Sequence, residues 1–241
     1  MEFRKKSIIS AVFMLLFFQL ASLPGGALSL SLAAEDSSGR ALSPGVDFRW
    51  AFAAMNVQDG KNSTQAIAED TVLKSGDQIK MMVELQRRCF VYLFHDDGQD
   101  SVKLLFPYTL KQFEGDYQPE RRYYIPRADA WYKLDEDPGR EVFYLIASAK
   151  RLDALEKAYL KHESAEAALR AETARALVDL IRELRREHRE LSSPAERPVP
   201  IGGALRSVEK VQAPDKPDIS VFAEEILSNG FVARTYTIEH K

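Results

Sequence analysis

From Arg151 to Leu191 the chain contains neither proline nor glycine, whereas Gly76, Gly98, Pro107, Pro138 and Gly139 divide the stretch before it into short segments. Glycine and proline are the strongest local breakers, so this contrast divides the chain into a helix-forming stretch and a strand-and-turn region. Within the first, Leu155, Tyr159 and His162 mark one helical face. Leu169, Thr173, Leu177, Leu180, Leu184 and Leu191 continue at helical spacing. Ser164 is placed to cap a second helix, backed by the helix formers Ala165, Ala167 and Ala168. A single helix over 165–190 would be about 39 Å long. One long helix and a helical hairpin both fit this pattern.

The region before it reads as strands. Phe48, Trp50 and Phe52 alternate with a period of two. Residues 56–72 are polar, with one short helical turn expected near Gln65–Asp70. Gly76-Asp77 turns the chain into a strand over Gln78–Leu85. Cys89–Phe94 is apolar on both faces, which predicts a strand in the middle of a sandwich. Asp96-Asp97-Gly98 supplies a hairpin turn, because Asp and Gly tolerate positive φ. Val102–Phe106 returns, Tyr123–Ile125 and Trp131–Leu134 add edges, and Glu141–Ala147 follows the Pro138-Gly139 turn. After the helical stretch, Ala204–Val211 is expected as a short strand and Ser220–Ser228 as one or two helical turns. Phe231–Glu239 alternates as a last strand. The fold expected is therefore mainly β: an antiparallel β-sandwich-like domain with a long helical insertion before the C-terminal strand.

The N-terminus has its own grammar. Arg4, Lys5 and Lys6 precede an apolar run from Ile8 to Leu20, and Pro24-Gly25-Gly26 and the small residues Ala27, Ala33 and Ala34 follow. This is the pattern of a secretory signal peptide, with cleavage expected near Ala33/Ala34. The run is short of the roughly 20 residues that span a bilayer, so no stable membrane span is expected after cleavage. The expected organisation is a signal peptide over 1–34, a polar leader over 35–46 and a β-sandwich over 47–150. A helical segment over 151–191 and a loop with the closing strand over 192–241 complete it. The expected location is the periplasm or the exterior.

With 33 basic and 36 acidic residues the net charge is only -3, so no whole-molecule field draws nucleic acid or anionic lipid. The Arg182–Arg189 run is interleaved with Glu183 and Glu187, a mixed face rather than a phosphate track. No nucleic-acid partner is expected. Cys89 is the one cysteine; it cannot form an intramolecular disulfide and reads as a buried core residue.

Several short motifs occur in a fixed order. They are Leu73-x-x-Gly76-Asp77, Tyr92-Leu-Phe, Asp97-Gly98, Leu104-Leu105-Phe106-Pro107, Pro138-Gly139-x-Glu141 and Ile146-Ala147-Ser148. Over residues 71–150 this order resembles the bacterial "domain of unknown function 4384" family. The resemblance implies an antiparallel β-sandwich-like module and carries over no catalytic residue.

The candidate chemistry is sparse. His95, Asp96, Asp97 and Asp100 cluster at one turn, but their spacing does not fit a calcium loop, so no metal site is expected. Cys89 and His95, if on one strand, lie roughly 20 Å apart, too far for a nucleophile–base pair. No Gly-x-Ser-x-Gly elbow, His-Glu-x-x-His pair or phosphate-binding loop occurs. No catalytic residue, cofactor or metal is assigned. The function expected is a non-enzymatic exported binding module, with an envelope hydrolase using an unrecognised Asp/Glu site as the alternative. A protein partner, or self-association, is expected through the helix over 165–190. The candidate contacts are Leu169, Leu177, Leu180 and Leu184 on its leucine face, with Arg121 and Tyr123 at a sheet edge.

Overall fold

The computed structural model describes residues 45–58, 61–189 and 217–241. The strands are β1 (Val46–Gln58), β2 (Lys61–Ala66), β3 (Asp70–Leu73), β4 (Gln78–Leu85), β5 (Phe90–Asp96), β6 (Val102–Phe106), β7 (Arg122–Ile125), β8 (Tyr132–Lys133) and β9 (Gly139–Ser148). Two helices follow, α1 (Asp153–Glu163) and α2 (Ala167–Arg189), then β10 (Glu224–Ser228) and β11 (Phe231–His240). They form two sheets. One runs β10-β1-β4-β7, with β2 on β1 and β8 on β4; the other runs β3-β11-β9-β5-β6. The fold is mainly β, with both helices placed before the C-terminal strands.

The alternation read at the start of β1 sets the contact between the sheets. Phe48, Trp50 and Phe52 are buried. The Trp50 ring meets Tyr236 of β11 at 5.9 Å, and Phe52 meets Phe143 of β9 at 5.1 Å. The opposite face of the second sheet is covered by the helices. The Phe94 ring meets Tyr159 of α1 at a tilt, and Phe231 stacks on His188 of α2. This explains the apolar run in β5. That strand lies one place from the sheet edge, not in the middle. It is apolar on both faces because one face meets a sheet and the other a helix.

On the outer face of the first sheet, Ala51, Ala53 and Met82 are buried under Ile219. A 3-10 turn over Ile219–Phe222, capped by Asp218, brings that residue there. Lys80 is buried beside this patch and donates to the carbonyls of Ala128 and Ala130 at 2.5 and 2.9 Å, tying down the loop before β8.

Four expectations are corrected. The polar stretch 56–72 holds the end of β1, all of β2 and the start of β3, and no helical turn at Gln65–Asp70. Gln65 and Ala66 pair with Ala54 and Ala53, since a ladder needs backbone groups and not apolar side chains. The pairing is not wholly antiparallel, because β3 runs parallel to β11. Ser164 does not cap the second helix. Its hydroxyl donates back to the carbonyls of Leu160 and Lys161 and so closes α1, which makes the segment a hairpin. Within Ser220–Ser228 the helical turn stops at Phe222, and Glu224–Ser228 is the edge strand β10. The expected signal peptide, Leu191 and the strand expected at Ala204–Val211 lie outside the described residues.

Candidate functional site

The helical hairpin packs on the β3-β11-β9-β5-β6 sheet. It meets the β5–β6 hairpin along a seam, and two clefts open there, both bordered by Val102. The larger, of about 250 Å³, is lined by Val102, Ala174 and Val178, with Asp96, Asp100 and Asp179 and with Arg175 and Arg182. The apolar three are buried and form its floor. The second, of about 210 Å³, is lined by Ser101, Lys103, Tyr159, His162, Glu163 and Arg170 as well. Helical spacing puts Arg175, Asp179 and Arg182 on one stripe of α2, facing the turn. That spacing is readable in the sequence. The turn as its counterpart is not, because the two segments are far apart along the chain.

His162 pins the seam. The Val102 N–H donates to its Nε2 at 3.2 Å, and its Nδ1 lies 3.0 Å from the Thr173 Oγ1. Because Nε2 accepts, the proton sits on Nδ1, which donates to the threonine; the Thr173 hydroxyl in turn points at the carbonyls of Leu169 and Arg170, each at 3.0 Å. The ring is 5% exposed. Burial, with the nearby Arg170 charge, holds it below the ordinary imidazole range. One side chain on α1 thus ties β6 to α2.

A second polar anchor fixes the start of α1. The buried Glu156 carboxylate accepts from the Tyr92 hydroxyl at 2.7 Å and from the Arg151 Nε at 2.8 and 2.9 Å. The Tyr92 oxygen also accepts from the Leu152 N–H at 3.1 Å. Arg151 reaches on to Glu114. Tyr92 and Arg151 thus satisfy a carboxylate that would otherwise be buried alone.

The turn carboxylates are employed locally. Asp96 accepts from the Gly98 N–H, and Asp97 from the N–H groups of Gln99 and Ser101. His95 points away from them: it pairs with Glu141 and stacks on Phe143. Among the described residues, no group of three or more His, Cys, Asp or Glu is placed to hold a metal ion. Cys89 is buried and free, and burial pushes its thiol up to about 11, the opposite of what a reactive thiol needs.

One constellation was missed in the sequence. The Ser75 hydroxyl lies 3.1 Å from the His240 Nε2, and the His240 Nδ1 lies 3.9 Å from an Asp135 carboxylate oxygen. The residue types are those of a nucleophile, a base and an orienting acid. Their sequence separation hid them, since 165 positions divide the serine from the histidine. The geometry is incomplete: 3.9 Å is too long for a hydrogen bond, and Asp135 is exposed. The nearby backbone donors are also committed. The N–H of Ser75 goes to Lys241, that of Gly76 to Leu134 and that of Asp77 to Lys74, so none of the three faces a developing oxyanion.

The six candidate contacts fare differently. Leu177 is fully buried in the main core, and Leu180 and Leu184 are half-buried against it. This leucine face is covered by the chain's own sheet. Leu169 is exposed, at 52%. Arg121 is exposed, pairs with Asp116 and lies over the Tyr123 ring. Tyr123 is a core residue, its ring against Phe106 and its oxygen accepting from the Gln118 N–H at 2.8 Å. Among the described residues, no helix is long and apolar enough to cross a membrane.

The ordered motifs fall on consecutive structural parts. Gly76, at φ +90°, makes the turn into β4. Leu104–Phe106 ends β6, and Glu141 and Ile146–Ser148 lie in β9. Residues 72–151 match the model of a family described as Domain of unknown function (DUF4384). The chain carries a DUF4384 domain. The match covers about a third of the sequence, and the DUF4384 segment supplies β4 to β9 entire. Strands β1, β10 and β11 and both helices come from outside it. No curated protein and no solved structure is significantly similar to the chain.

Proposed function

We propose that this chain is a non-enzymatic binding module that works outside the cytosol, in the bacterial periplasm or envelope. Its recognition surface is the seam between the DUF4384 β5–β6 turn and the helical hairpin. The observation that carries the reading is the larger cleft. Its floor is apolar, and its rim sets Arg175 and Arg182 against Asp96 and Asp100. An apolar centre within a charged rim is the anatomy of a protein contact. A rim of both signs suits a polypeptide partner that presents acidic and basic side chains together, and it disfavours a partner of one sign such as nucleic acid. Of the leucines first considered, Leu169 is the one left open to such a partner. The signal-like N-terminus supports the location.

The test is cross-linking with mass spectrometry from the native cell envelope, comparing the wild-type chain with an Arg175→Glu/Arg182→Glu variant. A reproducible partner that the double variant loses supports the reading. A partner retained by the variant, or none, sinks it.

A second reading, an envelope hydrolase, rests on Ser75, His240 and Asp135. A fluorophosphonate probe separates the two: labelling of Ser75 that His240→Ala abolishes would favour the enzyme, and an unlabelled protein the binding module.

A further inference from the structure

We infer that His162 is a pH-sensitive latch, whose neutral ring holds the helical hairpin on the β5–β6 hairpin and whose protonation releases it. Three elements meet at one imidazole: α1 carries it, β6 donates the Val102 N–H to Nε2, and α2 takes the Nδ1 proton through Thr173. All three residues are buried. The incoming proton must bind the Nε2 lone pair, which is the atom that accepts from Val102. Once protonated, both ring nitrogens are donors. Nε2–H then faces the Val102 N–H, and neither has an acceptor. A buried donor left without a partner destabilises the contact in which it sits.

The surrounding charges set the threshold. From α2, Arg170 opposes protonation, and from the turn Asp97 favours it. Lys103 on β6 and Tyr159 and Glu163 on α1 line the same cleft; the ammonium opposes the charge and the carboxylate favours it. Burial adds to the opposition, so the latch stays shut near neutral pH and opens on acidification. Opening exposes Val102, Ala174 and Val178, the floor of the larger cleft. The seam is the proposed recognition surface, but the latch is tested on the free protein, so either idea can fail without the other.

The experiment is NMR on the labelled chain from pH 7.5 to 4.5, following the His162 ring, the Val102 amide and amides of β9 and β11. We expect the ring to titrate below pH 6.5. We expect Val102 protection to drop at least tenfold with the same midpoint, while β9 and β11 stay protected. His162→Gln, which offers an acceptor and a donor that do not titrate, should keep Val102 protected across the range. The latch is overturned if Val102 stays protected after the ring has titrated. It is also overturned if the central strands open together with Val102, or if His162→Gln loses protection at the wild-type pH. The co-titration is read on the wild-type chain alone and does not depend on the variant folding.

Discussion

The two faces of the β3-β11-β9-β5-β6 sheet are buried by opposite means. Towards the other sheet the contact is almost wholly apolar, with Trp50, Phe52, Phe143 and Tyr236 packed ring to ring. Towards the helices, buried apolar residues such as Leu155, Leu177 and Ile181 are joined by polar links from His162, Glu156 and Arg185. Apolar burial is non-directional and insensitive to pH, so the sandwich behaves as one unit. Hydrogen bonds are directional, and under the proposed His162 latch the helical layer opens while the sandwich stays shut. His162 and Glu156, which link the helical layer to the sheet, both lie beyond the family segment.

Truncating the inter-sheet contact should have the largest effect. Trp50→Ala, which removes an almost unexposed ring, should cost about 3–5 kcal/mol and lower the urea midpoint of every probe together. A loss confined to one sheet would break the comparison. Glu156→Gln should cost about 1–3 kcal/mol, with amide exchange rising in α1 and not in β11. Equal loss in both would mean that the helical layer is no separate unit.

The pH effect should be smaller. The folded His162 pKa is depressed, so the unfolded chain binds the proton more tightly. The stabilisation is full above about pH 6.5, the unfolded value, and is lost as pH falls towards the folded one. Relative to His162→Gln, wild-type stability should fall by at most about 1.4 kcal/mol per pH unit in that window, read from paired urea melts. An identical slope in the two proteins would remove His162 from the account. The smallest effect belongs to the exposed i,i+3 pair: Arg182→Ala breaks the ion pair with Asp179 and should change stability by under about 1 kcal/mol. Cys89 tests the sandwich directly. In the native protein it should resist a thiol reagent that labels it at once in urea; rapid native labelling would show that the apolar face opens.

Much of the fold was legible because turn residues mark it. Gly76-Asp77, Asp97-Gly98 and Pro138-Gly139 stand at the starts or turns of β4, β6 and β9. The polar strands β2 and β3 were not legible. Their pairing uses backbone groups, and edge positions leave no apolar pattern. The leucine face of α2 was read as a surface that must be buried; Leu177, Leu180 and Leu184 pack on the core and Leu169 is exposed, and which surface buries a face is tertiary information. His162 stood out on its helical face, yet its partners Val102 and Thr173 lie 60 and 11 positions away. Ser75 and His240 were hidden for the same reason.

The interleaving of the strands governs the order in which the molecule can be assembled. Between β4 and β10 stands β1, and between β9 and β3 stands β11, which pairs with β9 along its whole length. A chain emerging from the ribosome has the family segment complete long before β11 exists. Until then the flank of β9 is a bare row of amides and carbonyls, a template for pairing with a neighbouring chain. Late closure keeps the nascent polypeptide open for longer. It also makes residues 72–151, if excised, a poor candidate for an independent fold.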